Sequence, residues 1–312
     1  ILMLDNLRFH ADEVEVRKYN GKNFEPQEKT EMVKSLALEV DLFVNDAFAT
    51  AHRCQPSIVG FSDKMPMIAG RVMEKEIEQL SKAVKSNKKP SLLIIGGNKA
   101  EDSVKIATNF LKNGIDKILT GGIVANIFLT ASGIDIGICS KDYIKKRIKN
   151  HEDIIERAKK LIRKYPKKII IPNDIALNCG GFRKGILCNQ FESKAFVDNL
   201  SKTCPVSDIG VETVVRYITE INKAKKIIAN GPMGVFEERE FSGGTREVFS
   251  AIANSEAFTV VGGGETSAAF NLYGLTHKVN HVSTGGGACI SYLAGKFMPA
   301  IEAMRRNKVN FL

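Results

Sequence analysis

The 312-residue sequence contains no Cys-x-x-Cys pair, no unbroken apolar stretch long enough to cross a bilayer, and no basic, apolar leader at its start. The last two absences speak against a helical membrane span and a secretory signal, so a cytoplasmic protein with no membrane partner is expected. The six cysteines, Cys54, Cys139, Cys179, Cys188, Cys204 and Cys289, are scattered over a chain long enough to build its own core, and they read as reduced thiols. Two nucleotide motifs are also missing. There is no G-x-x-x-x-G-K-[ST], which excludes a P-loop enzyme, and no G-x-G-x-x-G, which counts against a dehydrogenase. No aromatic-basic motif of a known nucleic-acid module appears, so no nucleic-acid partner is expected.

What is present is an ordinary globular mixture, 44% hydrophobic and 26% charged, with a length that suggests two domains. Lys and Arg number 45 against 35 Asp and Glu, a net charge of +10. Much of the lysine falls in helix-like stretches such as residues 141–168, where a solvated face is the ordinary reading. A basic surface would also attract phosphorylated metabolites.

Short β-branched runs alternate with longer helical periods. Strands are expected at 1–4, 42–45, 92–95, 117–120, 168–171, 226–229 and 258–261, and helices at 26–39, 69–85, 100–112, 152–165, 211–223 and 245–254. Alternation of this kind predicts an α/β fold of parallel sheets covered on both faces. The expected organisation is two doubly wound, Rossmann-like domains with the first incomplete. Residues 1–68 supply few strands, and an opening that already reads as a buried strand suggests that more chain lies upstream. Helix 69–85 and the polar stretch to residue 89 form the expected boundary.

Four segments share one grammar of apolar strand, glycines, then helix. They end in Gly96-Gly97-Asn98-Lys99, Gly121-Gly122, Gly262-Gly263-Gly264-Glu265-Thr266 and Gly285-Gly286-Gly287. A fifth strand runs into Asn230-Gly231-Pro232-Met233-Gly234. In a parallel sheet such turns share the carboxyl edge, where ligands bind in open α/β folds. Glycine lets the backbone approach phosphate oxygens, and free N–H groups at a helix start favour negative charge. One such turn is punctuation; several at one edge predict a site for a phosphate-bearing ligand such as a nucleotide.

These residues resemble the signature segments of phosphoglycerate kinases, in the family's order. Asp5-Asn6-Leu7-Arg8-Phe9-His10, Asn45-Asp46-Ala47-Phe48-Ala49-Thr50-Ala51-His52-Arg53 and the glycine turns take part, and Asn230-Gly-Pro-Met-Gly-Val-Phe-Glu237 is the most particular. The resemblance implies reversible transfer between 1,3-bisphosphoglycerate and MgADP, giving 3-phosphoglycerate and MgATP, with Mg²⁺ accompanying the nucleotide. It also implies a glycerate-binding first domain (1–68), a hinge (69–89), a nucleotide-binding domain (90–287) and a carboxyl-terminal segment (288–312) that returns to the first domain. A monomer is expected.

By the same resemblance, Arg8 and Arg53 hold the 3-phosphate, through guanidinium donors suited to phosphate oxygens. Lys99 contacts the transferring phosphoryl group, and the amides of Gly285, Gly286 and Gly287 face it. Gly96, Gly97, Gly121 and Gly122 line the adenine cleft. Glu237 binds ribose, with Asn230 and Pro232 shaping the turn beside it. Gly263, Gly264 and Thr266 meet phosphate at a helix start. Glu265 stands where the family usually has an aspartate approaching Mg²⁺, one methylene longer.

Two further departures matter. The family's second active-site lysine falls at Ser103, and Lys105 is turned from that position by roughly 200° on a helix. The family's opening segment, with an aspartate, an asparagine and a catalytic arginine, is not in this sequence. The expectation that follows is a kinase, with a catalytically inactive nucleotide-binding fragment as the alternative.

Overall fold

The computed structural model describes residues 3–19, 23–188 and 203–311. The chain forms two compact units, Ile1–Leu80 with Gly285–Leu312, and Ser81–Thr284.

The first unit is built on two parallel strands, β1 (Phe43–Asn45) and β2 (Met67–Ala69), paired from Phe43↔Met67 to Asn45↔Ala69. Met32, Val33, Phe61 and Met65 form one buried cluster of this unit, with Phe43 packed against it and stacked on Phe61 at 4.7 Å. The expected helix 26–39 is two helices, Glu25–Glu28 and Glu31–Ala37, parted at Lys29 and Thr30. The carboxyl-terminal helix Pro299–Phe311 closes this unit. Its Asn307 is 1% exposed, accepts from Met67 N at 2.7 Å and donates to Ser62 O and Met65 O. The expected strand at 1–4 does not form where it is described. Met3 is 89% exposed, and neither Met3 nor Leu4 has a ladder partner among the described residues, so their apolar character cannot make them a strand. Ile1 and Leu2 lie outside the described residues.

The second unit contains a six-stranded parallel sheet of β3 (Ser91–Ile95), β4 (Lys117–Thr120), β5 (Ile169–Ile170), β9 (Lys226–Asn230), β10 (Phe258–Gly262) and β11 (His281–Val282). Their order across the sheet is β11-β10-β9-β3-β4-β5. Every residue of β3 and β9 is buried, as central strands with helices on both faces require. Tyr217, fully buried on helix Val211–Lys223, donates to Thr120 O at 2.7 Å and fixes the end of β4.

A second sheet was not foreseen. It joins β6 (Asp174–Cys179), β7 (Phe182–Leu187) and β8 (Val206–Ile209), all antiparallel, in the order β7-β6-β8. This pairing brings Cys179 and Cys204 together, with Cα atoms 4.6 Å apart, and they form a disulfide. The reading of six reduced thiols is thereby corrected to four: Cys54, Cys139, Cys188 and Cys289.

Candidate functional site

From β3 the chain moves one way through β4 and β5, and later the other way through β9, β10 and β11, so the strand order reverses between β3 and β9. A crevice forms at the carboxyl ends of strands at such a point. Here the backbone itself ties the turns together. Gly96 N donates to Asn230 O at 2.9 Å, Gly97 N to Pro232 O at 2.8 Å, and Gly122 N to Met233 O at 2.7 Å. A methyl group on Gly121 would meet Met233 at 2.6 Å, so this turn too needs the missing side chain.

The side chains of Asn230 and Thr266 brace the next turn. Asn230 Nδ2 donates to Gly262 O at 2.8 Å, and the Thr266 hydroxyl accepts from Gly231 N at 2.6 Å. Both residues are buried. Gly263 precedes helix Gly264–Leu272 with φ +92°, a conformation that only glycine adopts freely.

These turns border a cavity of about 400 Å³ in the second unit, and Gly97, Gly122, Pro232, Glu237 and Glu265 are in its wall. Glu265 is half-buried, and its Oε2 lies where a side chain on Gly97 would go, 2.6 Å from that Cβ position. Glu237 is exposed. Much of the wall further along is apolar, with Ile123, Ala125, Ile175, Pro205 and Val206. Asp208 also borders the cavity, but its carboxylate is committed. It accepts from Arg183 Nη1 and Gly244 N, both at 2.8 Å, and burial pushes its carboxyl above the ordinary value against those bonds. Asp208 therefore anchors β7 and the start of helix Gly243–Ala253 to the rim.

Lys99 is exposed and precedes helix Ala100–Lys112. On that helix Ser103 is 1% exposed, and Lys105 donates to Glu101 at 2.5 Å, holding that carboxyl below its usual range. Lys105 is thus engaged one turn back along its own helix.

The first unit has its own cavity, of about 680 Å³, where Arg8 and Arg53 meet Arg17, His52 and Tyr19. Buried polar contacts from distant segments assemble it. Glu13, 4% exposed, accepts from Ser57 N and Oγ, Gln55 Nε2 donates to Glu13 O, and Gln27 Nε2 donates to Lys18 O and Cys54 O. Burial, then the charges of Arg53 and Lys296, lower the His52 pKa, so the positive charge here comes from the arginines. Gly285, Gly286 and Gly287 belong to the same unit, and Gly286 has φ +48°. A methyl group on Gly287 would lie 3.4 Å from His52 Nε2.

The residues singled out in the sequence therefore fall into two groups. Gly96, Gly97, Lys99, Gly121, Gly122, Asn230, Pro232, Glu237, Gly263, Gly264, Glu265 and Thr266 share the second unit, and Arg8, Arg53 and Gly285–Gly287 the first. Sequence reasoning passed over Arg17, His52 and Asp208. Arg17 and Asp208 lie outside the signature segments, His52 lies inside one without a role assigned to it, and the folded contacts show where the three sit.

A doubly wound sheet with a glycine-walled cavity at its switch point, together with an arginine-rich cavity in a separate unit, places the chain among the α/β proteins that take ligands at the carboxyl ends of parallel strands. The comparisons with known proteins agree. The phosphoglycerate kinase family model matches residues 1–296. A phosphoglycerate kinase of Methanothermus fervidus is 45% identical over 305 residues, covering 97% of this chain and 70% of the relative. One from Pyrococcus abyssi is 44% identical, covering 98% of the chain and 72% of the relative. The crystal structure of the Pyrococcus horikoshii OT3 phosphoglycerate kinase superposes with a TM-score of 0.87 at 43% identity, covering 98% of this chain and 73% of that one. The Coxiella burnetii phosphoglycerate kinase superposes with a TM-score of 0.76 at 31% identity, covering 96% and 72%. The chain belongs to the phosphoglycerate kinase family. Its function is that family's phosphoryl transfer, and matches over nearly the whole chain support a kinase rather than an inactive fragment.

Proposed function

We propose that the cavity at the β3–β9 switch point holds the magnesium complex of ADP or ATP, and that the cavity of Arg8, Arg17 and Arg53 holds the phosphate of the glycerate substrate. The observation that carries the reading is the set of backbone ties among Gly96, Gly97, Gly122, Pro232 and Met233, which leaves side-chain-free backbone in the cavity wall.

In this reading the base enters the apolar part beyond Gly122, and Glu237 accepts from the ribose hydroxyls. The phosphates run toward Gly263 and Gly264, where helix N–H groups favour negative charge. Lys99 offers an exposed ammonium to the transferring phosphoryl group. In the first unit, the amides of Gly285–Gly287 are donors suited to phosphoryl oxygens. Arg8 and Arg53 orient the acceptor by gripping its phosphate, and positioning is most of what phosphoryl transfer requires.

Glu265 fits a hard cation, because it lines the cavity and its carboxylate makes no hydrogen bond or ion pair among the described residues. No cluster of three or more potential ligands occurs among the described residues, so Mg²⁺ would arrive with the nucleotide and keep its phosphate and water ligands. Bound there, it would neutralise phosphate charge. No helix is long and apolar enough to cross a membrane among the described residues, and we place the enzyme in the cytoplasm as a monomer.

Calorimetric titration of the chain with MgADP tests the reading. Glu237→Ala should weaken binding about tenfold, the loss of a hydrogen bond to a charged group, while Lys99→Ala leaves affinity within about threefold. Equal binding by the wild type and Glu237→Ala would remove the nucleotide from this cavity.

A further inference from the structure

Helix Gly122–Ala131 leaves the Gly121–Gly122 turn and runs along the cavity wall. Its sequence, Gly-Ile-Val-Ala-Asn-Ile-Phe-Leu-Thr-Ala, carries two polar side chains. Thr130 is accounted for, since its hydroxyl donates to the Asn126 carbonyl at 2.8 Å. Asn126 is not. The residue is 2% exposed, it borders the cavity, and its Oδ1 is buried with no hydrogen-bond donor in reach.

An unsatisfied buried amide is a cost that a leucine of similar volume would avoid. Its position makes sense of that cost. Asn126 follows Gly122 by four residues, so the two lie on one helix face about a turn apart. Between Gly122 and Asn126 the helix also sets Ile123 and Ala125 in the cavity wall, so Asn126 stands one turn beyond the Gly121–Gly122 turn among apolar lining residues. Ser140, also in this wall, already accepts from Val206 N at 2.9 Å, whereas Asn126 is a buried amide in the wall whose oxygen has no partner.

We propose that Asn126 reads the base of the nucleotide, its Oδ1 accepting a hydrogen bond from an exocyclic amino group. A 6-aminopurine offers an amino donor beside a ring-nitrogen acceptor, the complement of an amide's oxygen and NH₂. A 6-oxopurine presents an oxygen where Oδ1 needs a donor. Asn126 is thus a specificity-determining residue that favours the 6-amino base. The proposal rests on the reading of this cavity as the nucleotide site.

The test compares MgADP with MgIDP, which differ at position 6 of the purine, on wild type, Asn126→Leu and Asn126→Ala. The wild type should bind MgADP about tenfold more tightly than MgIDP, the order of a hydrogen bond made or left unmade. Both variants should lose that preference by weakening MgADP, with MgIDP within about twofold of wild type; alanine guards against leucine blocking the cavity. Without nucleotide, Asn126→Leu should unfold at a temperature no lower than wild type, because it removes an unpaired polar atom. Equal weakening of both nucleotides, or an unchanged preference, would make Asn126 a structural amide and overturn the proposal. A wild type that binds MgADP, loses it with Glu237→Ala and ignores substitution at Asn126 would sink only this assignment. A wild type that binds neither nucleotide would remove the site itself.

Discussion

Gly97 donates its amide to the carbonyl oxygen of Pro232 at 2.8 Å, and the preceding Gly96 lies so close to that carbonyl that a methyl group on it would stand 2.0 Å away. The turns after β3 and β9 are joined by main chain alone. A side chain on Gly96 has no flexible neighbour to displace, only backbone.

Gly96→Ala should therefore force the two turns apart. Overpacking of a tight site costs about 1–3 kcal/mol, and MgADP affinity should fall more than tenfold because the cavity wall moves. Denaturant unfolding and calorimetry would read both effects. Gly243→Ala is the control, since a methyl group there meets nothing within 4 Å, and its effect should stay within about 0.5 kcal/mol. A Gly96→Ala protein as stable as the control would show that the seam is not held by close approach.

How far the sequence shows this fold depends on how each element earns its burial. Leu92-Leu93-Ile94-Ile95 is a continuous apolar run bounded by Pro90 and Gly96, and it is legible as a central strand without any alignment. Helices 100–112 and 211–223 carry a clear apolar stripe and keep the expected bounds. Helix Gly122–Ala131 goes unrecognised for the opposite reason, being apolar except at Asn126 and Thr130, with no period to detect. Strand β7, Phe182-Arg-Lys-Gly-Ile-Leu, is a largely exposed edge, and its polarity hides it. At the sites, glycine turns announce themselves because glycine marks close approach. Arg17 and His52 do not, because their cavity depends on Gln27, Gln55 and Glu13 joining segments far apart in the chain.

In the arginine cavity, charge coupling should be measurable. Burial is the largest cause lowering the His52 pKa, followed by Arg53 and Lys296. Arg53→Ala removes one positive neighbour, so the His52 pKa followed by NMR should rise toward its ordinary value. Because a depressed folded-state pKa means the unfolded chain binds protons first, wild-type stability falls as pH drops through the unfolded-state value, and the variant should lose less of it. The same substitution should weaken 3-phosphoglycerate binding about tenfold or more, since a charge-assisted phosphate contact is lost. A His52 pKa unmoved by Arg53→Ala would mean that the two side chains do not share the cavity.

The cysteines should fall into three classes of reactivity. Cys139 is partly exposed and should alkylate in the native protein at pH 8. Burial raises the Cys54 thiol to about 11, and burial with the Asp174 charge raises Cys188 to about 12, so both should react only after unfolding. Cys289 is fully buried and joins them. Cys179 and Cys204 should need a reductant as well. Mass spectrometry of labelled peptides reads all three classes. Labelling of Cys179 in unfolded, unreduced protein would contradict the pairing.

Asn307 supplies a single side chain that closes three backbone groups, and its removal tests what holds helix Pro299–Phe311 in the first unit. It takes the N–H of Met67 at 2.7 Å and gives its own two hydrogens to Ser62 O at 2.6 Å and Met65 O at 2.8 Å, at 1% exposure. Asn307→Ala leaves an edge of β2 and the end of the preceding loop without partners in a buried place. Each unsatisfied buried group costs about 1–3 kcal/mol, so a total near 3 kcal/mol is expected once water reaches part of the gap. Asn307→Asp keeps the acceptor for Met67 but sets a carboxylate against two carbonyl oxygens, and it should recover stability as pH falls and the acid protonates. Asn310→Ala, which removes an exposed bond to Asp63 at 3.0 Å, should change stability by less than about 0.5 kcal/mol. Chemical denaturation of the three variants decides the matter, because equal losses at positions 307 and 310 would mean that the helix is held by its apolar face and not by this amide.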